Sequence, residues 1–431
     1  MHIFILTRGS LGDVQPFVAL GKYMKAAGHK VTICTHSNFE PLITGHGLLY
    51  GYMNDDLTHL IKSHLVNETV EGSKRRKGFF RGISELKQQL RPIQQRMHND
   101  SWKSVKEAQP DLLLFHSQAF WAPDFGEKLG LPVIMATITP SSVPTGKFPH
   151  LLFKHWKIGK WGNRLTYQIA TKLFAPEKLR SVHEWRQIHL PSTHQHKTRL
   201  PDADLGQRIP VLHAHSPSVS PAPADWPDQA FVTGYWFLEK EETWQAPPEL
   251  LDFLEQGDPP VYFGFGSIPG SDPKKLLSII LEALERTEMR GLIAAGCDSL
   301  PIIALPKNVF GIDGVPHEWL FPRVAAAVHH GGAGTTAASL RSGCPTIICP
   351  LQGDQPYWGN RVQDLGAGSR PIPQKKLTAE ALATAILEVT SDEKIRQNAR
   401  ELGIRIRAEN GLRNALDLIE NILATSRATE Q

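Results

Sequence analysis

Short apolar runs alternate with longer amphipathic stretches along most of this 431-residue chain. In the first half, strands are predicted at 2–7, 30–35, 111–116 and 132–137, and helices at 14–27 and 119–129. Strands that alternate with helices predict a parallel sheet that is covered by helices on both faces. The first half therefore has the pattern of an α/β domain.

The same alternation returns after a proline- and serine-rich stretch at 216–224, which predicts a linker. Further strands are predicted at 260–265, 291–295, 309–312, 325–328 and 346–349, with a helix at 274–286 and a helix-rich end at 391–426. We therefore predict a first domain over 1–215, a linker over 216–229, a second domain over 230–405 and a final helical segment over 406–431.

A glycine-rich turn, HHGGAGTT over 329–336, joins an apolar strand to a helical pattern at 337–341. The first amides of a helix have no partner inside it, and the helix dipole adds partial positive charge there. Glycines let a phosphate approach the backbone, and Thr335 and Thr336 add hydroxyl donors. The turn therefore predicts a phosphate site, although a lone turn of this kind also occurs as a packing device.

A polar group, QGDQ over 352–355, follows about twenty residues later. The carboxylate of Asp354 and the amide of Gln355 are the partners that the hydroxyls of a sugar need. A diphosphate site followed by a sugar site predicts a nucleotide-sugar donor.

The first predicted strand ends in the loop TRGSLGDVQP over 7–16. Ligands of parallel sheets bind at the carboxyl ends of the strands, so this loop is expected at a ligand site. Gly9 and Gly12 do not complete the GxGxxG fingerprint, and no acidic residue ends the second strand, which argues against a nicotinamide enzyme. Asp13 has two interpretations: it caps the start of a helix, or it is a general base for an acceptor hydroxyl.

Together these motifs resemble the site of family 1 glycosyltransferases, above all the sterol glucosyltransferases and the glycopeptide-aglycone glucosyltransferases. The matching patterns are Gly-Ser-x-Gly-Asp at 9–13, His-Gly-Gly-x-Gly-Thr at 330–335 and Gly-Asp-Gln at 353–355. The resemblance implies the α/β fold called GT-B, in which two Rossmann-like domains face each other across a cleft. It also implies that a C-terminal helix crosses back to the N-terminal domain.

The resemblance implies a role for each matching residue. Asp13 is the expected general base. The expected donor-binding residues are Ser10, Gly12, Ser267, Val315, His330, Gly332, Gly334, Thr335, Asp354 and Gln355. Ser267 and His330 are expected to bond the diphosphate, and the backbone of Val315 is expected to meet the uracil.

Three positions mark where the resemblance is weaker. Leu11 stands where many relatives have Arg, so a contact near this loop differs. Ala338 stands where plant relatives have the Glu that holds the ribose, which leaves the choice between UDP and dTDP open. Plant relatives also place a His near the first loop; the nearest one here, His29, is predicted to lie past the helix at the surface.

Composition favours a globular protein of the reducing cytoplasm. Apolar residues make up 41% of the chain, which suffices for ordinary cores. The four cysteines show no CxxC spacing, so neither a disulfide framework nor a zinc ribbon is predicted. The start MHIFILTRGS does not have the pattern of a signal peptide, and no apolar run is long enough to span a membrane.

Two motifs resemble metal ligands. Asp202 and Asp204 form a DxD pattern, but it follows a proline in a polar stretch, where a surface loop is the favoured interpretation. The histidine pairs at 194 and 196 and at 213 and 215 have no evident third ligand. We therefore expect no metal and no bound cofactor, and the charge of the leaving diphosphate would be stabilised by helix amides, His330 and hydroxyls.

Charge is divided unevenly between the two halves. Residues 1–215 hold 28 Lys+Arg and 16 Asp+Glu, a net +12, and the remainder holds 19 and 27, a net −8; together they give the overall +4. Basic and aromatic residues mix at 74–82 and 147–174, and residues of the second stretch fall on one helical stripe: Leu152, Trp156, Trp161, Leu165, Ile169 and Leu173. The stripe indicates either a helix on an anionic membrane or a wall of the acceptor site. Nucleic acid is not predicted, because no binding motif accompanies the charge.

The sequence thus predicts an inverting, metal-independent hexosyltransferase that moves glucose from UDP-glucose to a hydroxyl of an apolar acceptor, a sterol or another terpenoid. One alternative is a transferase for a polyketide or glycopeptide-like aglycone that uses a UDP- or dTDP-sugar. Alternatives of another class are a UDP-sugar epimerase and a non-catalytic sugar-nucleotide binder. The predicted location is the cytoplasm, with contact at a membrane surface if the basic stripe binds lipid.

Overall fold

The computed structural model describes residues 1–55, 79–153, 156, 158–190, 205–206, 208–240, 244–266, 273–294 and 305–429, with side chains left out at 79–91, 174–181 and 426–429. The chain divides into two compact units. The first comprises Met1–His215, Ala222–Leu238 and Asn410–Gln431, and the second comprises Ser216–Pro221 and Glu239–Glu409.

The described residues of the first unit form a parallel seven-stranded sheet in the order β3-β2-β1-β4-β5-β6-β7. Its strands are β1 (His2–Leu6), β2 (Lys30–Thr35), β3 (Leu49–Tyr52), β4 (Leu112–His116), β5 (Val133–Thr137), β6 (Val211–His213) and β7 (Ala230–Val232). The chain runs outward from β1 to β3 and then returns to add β4 on the other side of β1. The carboxyl ends of β1 and β4 therefore form a topological switch point, where parallel sheets bind ligands.

Helices cover both faces of this sheet, as the alternating pattern predicted. They are α1 (Leu11–Ala26), α2 (Glu40–Gly45), α3 (Phe79–Ala108), α4 (Ala122–Leu129) and α5 (Gly159–His189), with 3-10 turns at Ser37–Phe39, Pro140–Ser142 and Leu151–Phe153. The strands alternate between two apolar cores: Ile3 and Ile5 face one, and Phe4 and Leu6 face the other.

The second unit contains a parallel five-stranded sheet in the order β10-β9-β8-β11-β12. Its strands are β8 (Val261–Gly264), β9 (Gly291–Ala294), β10 (Val309–Ile312), β11 (Ala326–His329) and β12 (Thr346–Ile348). Its helices are α6 (Pro248–Glu255), α7 (Pro273–Thr287), α8 (His317–Leu320), α9 (Ala333–Arg341), α10 (Gln355–Asp364), α11 (Ala379–Ser391) and α12 (Glu393–Ala408), with 3-10 turns at Phe321–Arg323 and Gln374–Lys376. The switch point of this sheet lies between β8 and β11.

The final helix, α13 (Gly411–Thr429), belongs to the first unit, as the resemblance implied. Its apolar side chains, among them Ala415 and Ile419, are buried in the same core as Phe17 of α1. His29, which was predicted to lie at the surface, joins this contact: its side chain is largely buried and its Nε2 lies 3.0 Å from Glu420 Oε1. The surface prediction for His29 is therefore wrong, because the returning helix covers it.

The boundary between the units differs from the predicted one. Residues 230–238 were assigned to the second domain, but β7 pairs in register with β6 and belongs to the first sheet. The predicted linker is divided, since 216–221 belongs to the second unit, where Ser216 Oγ donates to Glu409 Oε1 at 2.6 Å. The chain returns to the first unit at Asn410. A three-residue strand carries too little periodicity to be recognised in a sequence.

Candidate functional site

Asp13 lies on the first turn of α1, directly after the switch-point loop. Its Oδ2 accepts hydrogen bonds from the backbone N of Ser10 at 2.7 Å and from Ser10 Oγ at 2.8 Å. This is the geometry of a carboxylate that satisfies the start of a helix. The capping interpretation of Asp13 therefore holds for this one oxygen, and Ser10 is its partner.

The other carboxylate oxygen of Asp13 faces the end of β4. Gln118 Nε2 lies 3.4 Å from Asp13 Oδ1, and His116 Nε2 lies 4.0 Å from it. Burial lowers the pKa of His116, and the charge of Arg8 lowers it further, whereas Asp13 opposes both effects. His116 is therefore neutral near pH 7, and Oδ1 of Asp13 is the oxygen that is placed to receive a proton.

A half-buried arginine completes the surroundings of this loop. Burial lowers the pKa of Arg8 to about 10, and Asp13 opposes that shift. The guanidinium carbon lies 6.0 Å from the centroid of the Trp121 ring, and Arg8 Nε has no hydrogen-bond partner among the described residues. Burial lowers the pKa values of His36 and His98, and the charge of Arg8 lowers them further. Arg8 is thus the cation of a site in which its histidine neighbours are neutral.

Gly9 is required for the position of Asp13. Its φ is +125°, a conformation that favours glycine, and a Cβ there would collide with Asp13 Oδ2. At Gly12, by contrast, a Cβ would make only ordinary contact, 3.6 Å from Ser10 Oγ.

In the second unit, the predicted phosphate turn follows β11. Its helix α9 begins at Ala333, four residues earlier than the pattern predicted, with Gly332 as the N-cap. His329 holds the turn, because its Nδ1 accepts from the backbone N of Gly331 at 3.0 Å. Gly331 has a φ of +89°, and a Cβ there would lie 2.5 Å from Ile348 Cγ2. The turn therefore needs a glycine at 331 both for its conformation and for its packing.

His330 lies beside the end of β8, the neighbouring strand at the switch point. Its Nδ1 is 3.4 Å from the carbonyl oxygen of Gly264, and burial lowers its pKa below the ordinary 6.5. A Cβ on Gly332 would lie 2.6 Å from His330 Nε2, so glycine at 332 keeps that nitrogen accessible. When Nδ1 carries the only proton, Nε2 donates to an anion only after the ring gains a second proton.

The two threonines of the turn differ. Thr335 is partly exposed on the first turn of α9 together with Gly334, as expected for a ligand contact. Thr336 is fully buried, and its Oγ1 has no hydrogen-bond partner among the described residues. Of the two predicted hydroxyl donors, only Thr335 is accessible to a phosphate.

The Gly-Asp-Gln group lies at the start of α10, and both polar side chains are engaged. Asp354 Oδ2 accepts from Trp358 Nε1 at 2.7 Å. Gln355 Oε1 accepts from the backbone N of Leu351 at 2.7 Å and of Gln352 at 3.1 Å. The NH2 group of Gln355 is therefore the part of that side chain that can donate to a sugar hydroxyl.

Of the remaining predicted positions, some lie within the described residues and others lie outside them. Val315 is half-buried between β10 and α8, beside His317, whose Nε2 lies 3.1 Å from Tyr262 Oη. Ser267, Asp202, Asp204 and the histidines at 194 and 196 lie outside the described residues. His213 stacks on Trp226 with 4.3 Å between ring centroids, and within the described ranges no group of three or more His, Cys, Asp or Glu side chains could hold a metal ion.

Sequence reasoning missed three residues around Asp13: Arg8, His116 and Gln118. The signal for two of them was available, because His116 ends a predicted strand and Gln118 follows it. Residues at the carboxyl end of β4 meet those that follow β1 whenever the two strands are neighbours. Strand order was the missing information.

Two family models match this chain. Residues 3–141 match the glycosyltransferase family 28 N-terminal domain, and residues 281–411 match the erythromycin biosynthesis protein CIII-like C-terminal domain. The first match contains the Asp13 loop, and the second contains the glycine-rich turn and Gly-Asp-Gln.

Curated relatives match along nearly the whole chain. A sterol 3-beta-glucosyltransferase of Arabidopsis thaliana is 37% identical over 96% of this chain and 64% of the relative. Those of Pichia angusta and Neosartorya fischeri are 36% and 35% identical over 98% and 97% of this chain, and over 34% and 29% of the relatives. The chain spans less than two thirds of the length of these relatives.

Solved structures share the fold. The glycosyltransferase of kitacinnamycin superposes with a TM-score of 0.69 at 20% identity, covering 97% of this chain and 98% of the other. Glycosyltransferase VinC in complex with dTDP gives 0.67 at 19% identity, covering 97% and 99%. The two Rossmann-like parallel sheets and the similarity to these two solved structures identify the GT-B fold. The chain therefore has the GT-B fold of glycosyltransferases, matches the two family models over 3–141 and 281–411, and is similar along nearly its whole length to sterol 3-beta-glucosyltransferases.

Proposed function

We propose that this chain transfers glucose from UDP-glucose to a hydroxyl of a sterol or related terpenoid, with inversion at the anomeric carbon and without a metal ion. The observation that carries the proposal is that one chain holds a carboxylate with an available oxygen, Asp13, and an open helix start suited to a diphosphate, α9. The relatives named sterol 3-beta-glucosyltransferase, at 35–37% identity, support the acceptor class.

The role proposed for Asp13 is general-base catalysis. Its Oδ1 takes the proton of the acceptor hydroxyl while that oxygen attacks the anomeric carbon and the bond to UDP breaks. Because Oδ2 is held by Ser10, the carboxylate is fixed before an acceptor arrives. Neutral His116 and Gln118 flank the same oxygen and orient it.

The negative charge that develops on UDP needs stabilisation in the second unit. The free amides at the start of α9 and the Thr335 hydroxyl supply hydrogen-bond donors there, and His330 supplies a further donor once its ring is protonated. The proposal of metal independence rests on these donors. The sugar of the donor would meet Asp354 and the NH2 group of Gln355, beside the residues that hold the diphosphate.

The deciding experiment incubates the chain with radiolabelled UDP-glucose and a panel of sterol, terpenoid and polyketide acceptors, with and without EDTA. We expect acceptor-dependent UDP release, a labelled sterol glucoside with a β linkage, and no loss of rate with EDTA. UDP-sugar conversion without an acceptor would indicate an epimerase. UDP binding without turnover would indicate a non-catalytic binder.

A parallel arm with dTDP-glucose tests the alternative donor. That arm is motivated by Ala338, which leaves the ribose contact of plant relatives unfilled, and by the solved complex of VinC with dTDP. A preference for dTDP-glucose and a polyketide acceptor would favour an antibiotic-type transferase over the sterol enzyme.

A further inference from the structure

Helix α5 exposes a row of large apolar side chains. Trp161, Leu165, Ile169 and Leu173 are all exposed, Trp161 by 87% and Leu173 by 65%. Residues four apart on a helix advance by about 40°, so these four lie within an arc of about 120°. Thr166, between them, is fully buried and faces the body of the unit. The apolar row is therefore a solvent-facing side of an ordered helix.

Exposed large apolar side chains are unusually concentrated in this part of the chain. Of fifteen exposed large apolar side chains among the described residues, seven fall between 152 and 173: Leu152, Trp156, Ile158, Trp161, Leu165, Ile169 and Leu173. The other eight are scattered over both units. Isolated exposed apolar residues need no explanation, but a contiguous group indicates an interaction surface.

The stretch of sequence that contains this row carries charge of one sign. Between Glu127 and Glu177 there is no acidic residue in 49 positions, although 43 in 431 would give about five. The same 49 positions hold six lysines and one arginine. Arg164 is offset by Asp225 at 2.8 Å, whereas Lys160 and Lys172 are exposed next to Trp161 and Leu173. An apolar row bordered by lysines is complementary to a partner that has an apolar interior and negatively charged groups at its boundary with water.

The rest of α5 is fixed to the first unit. Asn163 Nδ2 donates to the carbonyl oxygen of Gly146 at 2.9 Å, and His150 N donates to Thr166 Oγ1 at 2.8 Å. At the other end, Arg186 pairs with Asp124. The apolar row is thus presented by a helix that is held near both of its ends, and binding it requires no rearrangement of the helix.

We propose that Trp161, Leu165, Ile169 and Leu173, flanked by Lys160 and Lys172, form a docking surface for an anionic lipid bilayer. We call these six residues the α5 surface. None of the described helices is long and apolar enough to cross a bilayer, so contact through this surface would lie in the plane of the interface. This inference draws on the proposed function only in that a sterol acceptor is dissolved in a membrane.

The first test is cosedimentation of the full chain with vesicles of phosphatidylcholine, with and without phosphatidylserine, at low and high salt. We expect binding to the anionic vesicles that falls as salt rises, because salt screens the lysines. Binding should not vanish, because inserted apolar side chains are not screened. Absence of binding to anionic vesicles at low salt would overturn the proposal.

Reversing the charge of the two lysines tests whether the α5 surface is the part of the chain that binds the vesicles. Lys160→Glu with Lys172→Glu should reduce partitioning at low salt about 25-fold or more, at about fivefold for each cation lost. The matched control, Lys22→Glu with Lys375→Glu, changes the net charge equally at two exposed lysines elsewhere. Equal losses in both pairs would show attraction to overall charge and would overturn the assignment.

The contribution of the apolar side chains to vesicle binding is measured at high salt, where the charges are screened. Trp161→Ser with Leu165→Ser should reduce the residual binding about tenfold. The control, Leu387→Ser with Ile404→Ser, alters two exposed apolar side chains of the second unit and should leave it unchanged. All four positions are exposed, and circular dichroism confirms that each variant folds.

Two competing occupants of the surface predict other results. If it is a wall of the acceptor site, Trp161→Ser with Leu165→Ser lowers transfer to a detergent-dissolved acceptor as much as transfer to one in vesicles. If it binds a second copy of the chain, light scattering detects a dimer that the same variant abolishes. Either result would overturn the proposal. Vesicle binding needs no turnover, so the surface is tested even if the proposed transferase activity is absent.

Discussion

Two strand–turn–helix segments, one in each unit, have the same architecture and opposite electrostatics. Each follows a strand at a switch point, and each turn contains a glycine with positive φ, Gly9 in the first and Gly331 in the second. The first turn of α1 holds Asp13, whose Oδ2 satisfies the helix start. The first turn of α9 holds no acidic residue.

The difference decides what each loop can bind. The N-terminal end of α1 is neutralised by its own carboxylate, which has one oxygen left for a proton. The N-terminal end of α9 keeps its amides and partial positive charge for an anion. Under the proposed function, one backbone arrangement would serve as a base site in the first unit and as a phosphate site in the second, depending on one side chain.

Removing the charge of Asp13 is the strongest test of this contrast. Asp13→Asn can still accept from Ser10 N but cannot take a proton, so kcat should fall by ~10²–10⁴-fold. Affinity for UDP, measured by calorimetry, should be unchanged. Asp392→Asn is the control, because Asp392 caps α12 through Lys394 N and should leave the rate unaffected. Wild-type turnover in Asp13→Asn would rule out its role as the base.

Adding a charge to α9 should make the second loop resemble the first. Gly334 is exposed, and a Cβ there meets no atom within 4 Å, so Gly334→Asp fits sterically. The new carboxylate would repel the diphosphate and neutralise the helix end, lowering UDP affinity by ~10- to 100-fold. Gly334→Asn has nearly the same shape without the charge, and its effect should be small. Equal losses in the two variants would mean that the site does not bind an anion there.

The sugar contacts should separate from the nucleotide contacts. Asp354→Ala and Gln355→Ala should weaken UDP-glucose by about 1–3 kcal/mol and spare UDP, because they are proposed to meet only the sugar. Gln355→Ala also removes the acceptor for Leu351 N, so Gln355→Glu is the sharper variant: it keeps that oxygen and removes the NH2 donor. Calorimetry with both ligands measures the difference. A matching loss of UDP affinity would contradict the assignment to the sugar.

Gly9→Ala tests whether the rate of transfer depends on the exact position of the Asp13 carboxylate. Both Gly9 and Gly28 have positive φ, so alanine costs about 1 kcal/mol of stability at each. Only at Gly9 would the new Cβ collide with Asp13 Oδ2; at Gly28 it meets nothing within 4 Å. Gly9→Ala should therefore lower kcat by about tenfold beyond the effect of Gly28→Ala. Equal rates in the two variants would show that the carboxylate tolerates displacement.

The sequence predicted the elements well where apolar runs were long. Strand β2 was predicted with its observed ends, and the turn before α9 was recognised from its glycines. Both signals are local: a short, mostly apolar run predicts the strand, and the demand for glycine predicts the turn.

What depends on strand order was not predictable in this way. His116 was placed at the end of a strand, but its approach to Asp13 depends on β4 lying beside β1. Likewise Thr335 and Thr336 are equivalent in the sequence, and only packing buries the second. The partners of Asp13 and the membership of β7 in the first sheet follow from contacts that a local sequence pattern does not encode.

The smallest expected effect concerns the proton of His330. Burial lowers its pKa below 6.5 in the free protein, and a diphosphate beside Nε2 would raise it by favouring the charged ring. The added affinity for UDP is fully present below the free pKa and is lost as pH rises through the bound pKa. UDP itself titrates near pH 6, so the measured quantity is the difference between wild type and His330→Gln, which should grow a few-fold as pH falls. Calorimetry in two buffers of different ionisation enthalpy should show proton uptake in the wild type that exceeds that of the variant. If the wild type and the variant take up the same number of protons when UDP binds, His330 does not donate from Nε2. The phosphate is then bound by the amides of α9 and by Thr335 alone.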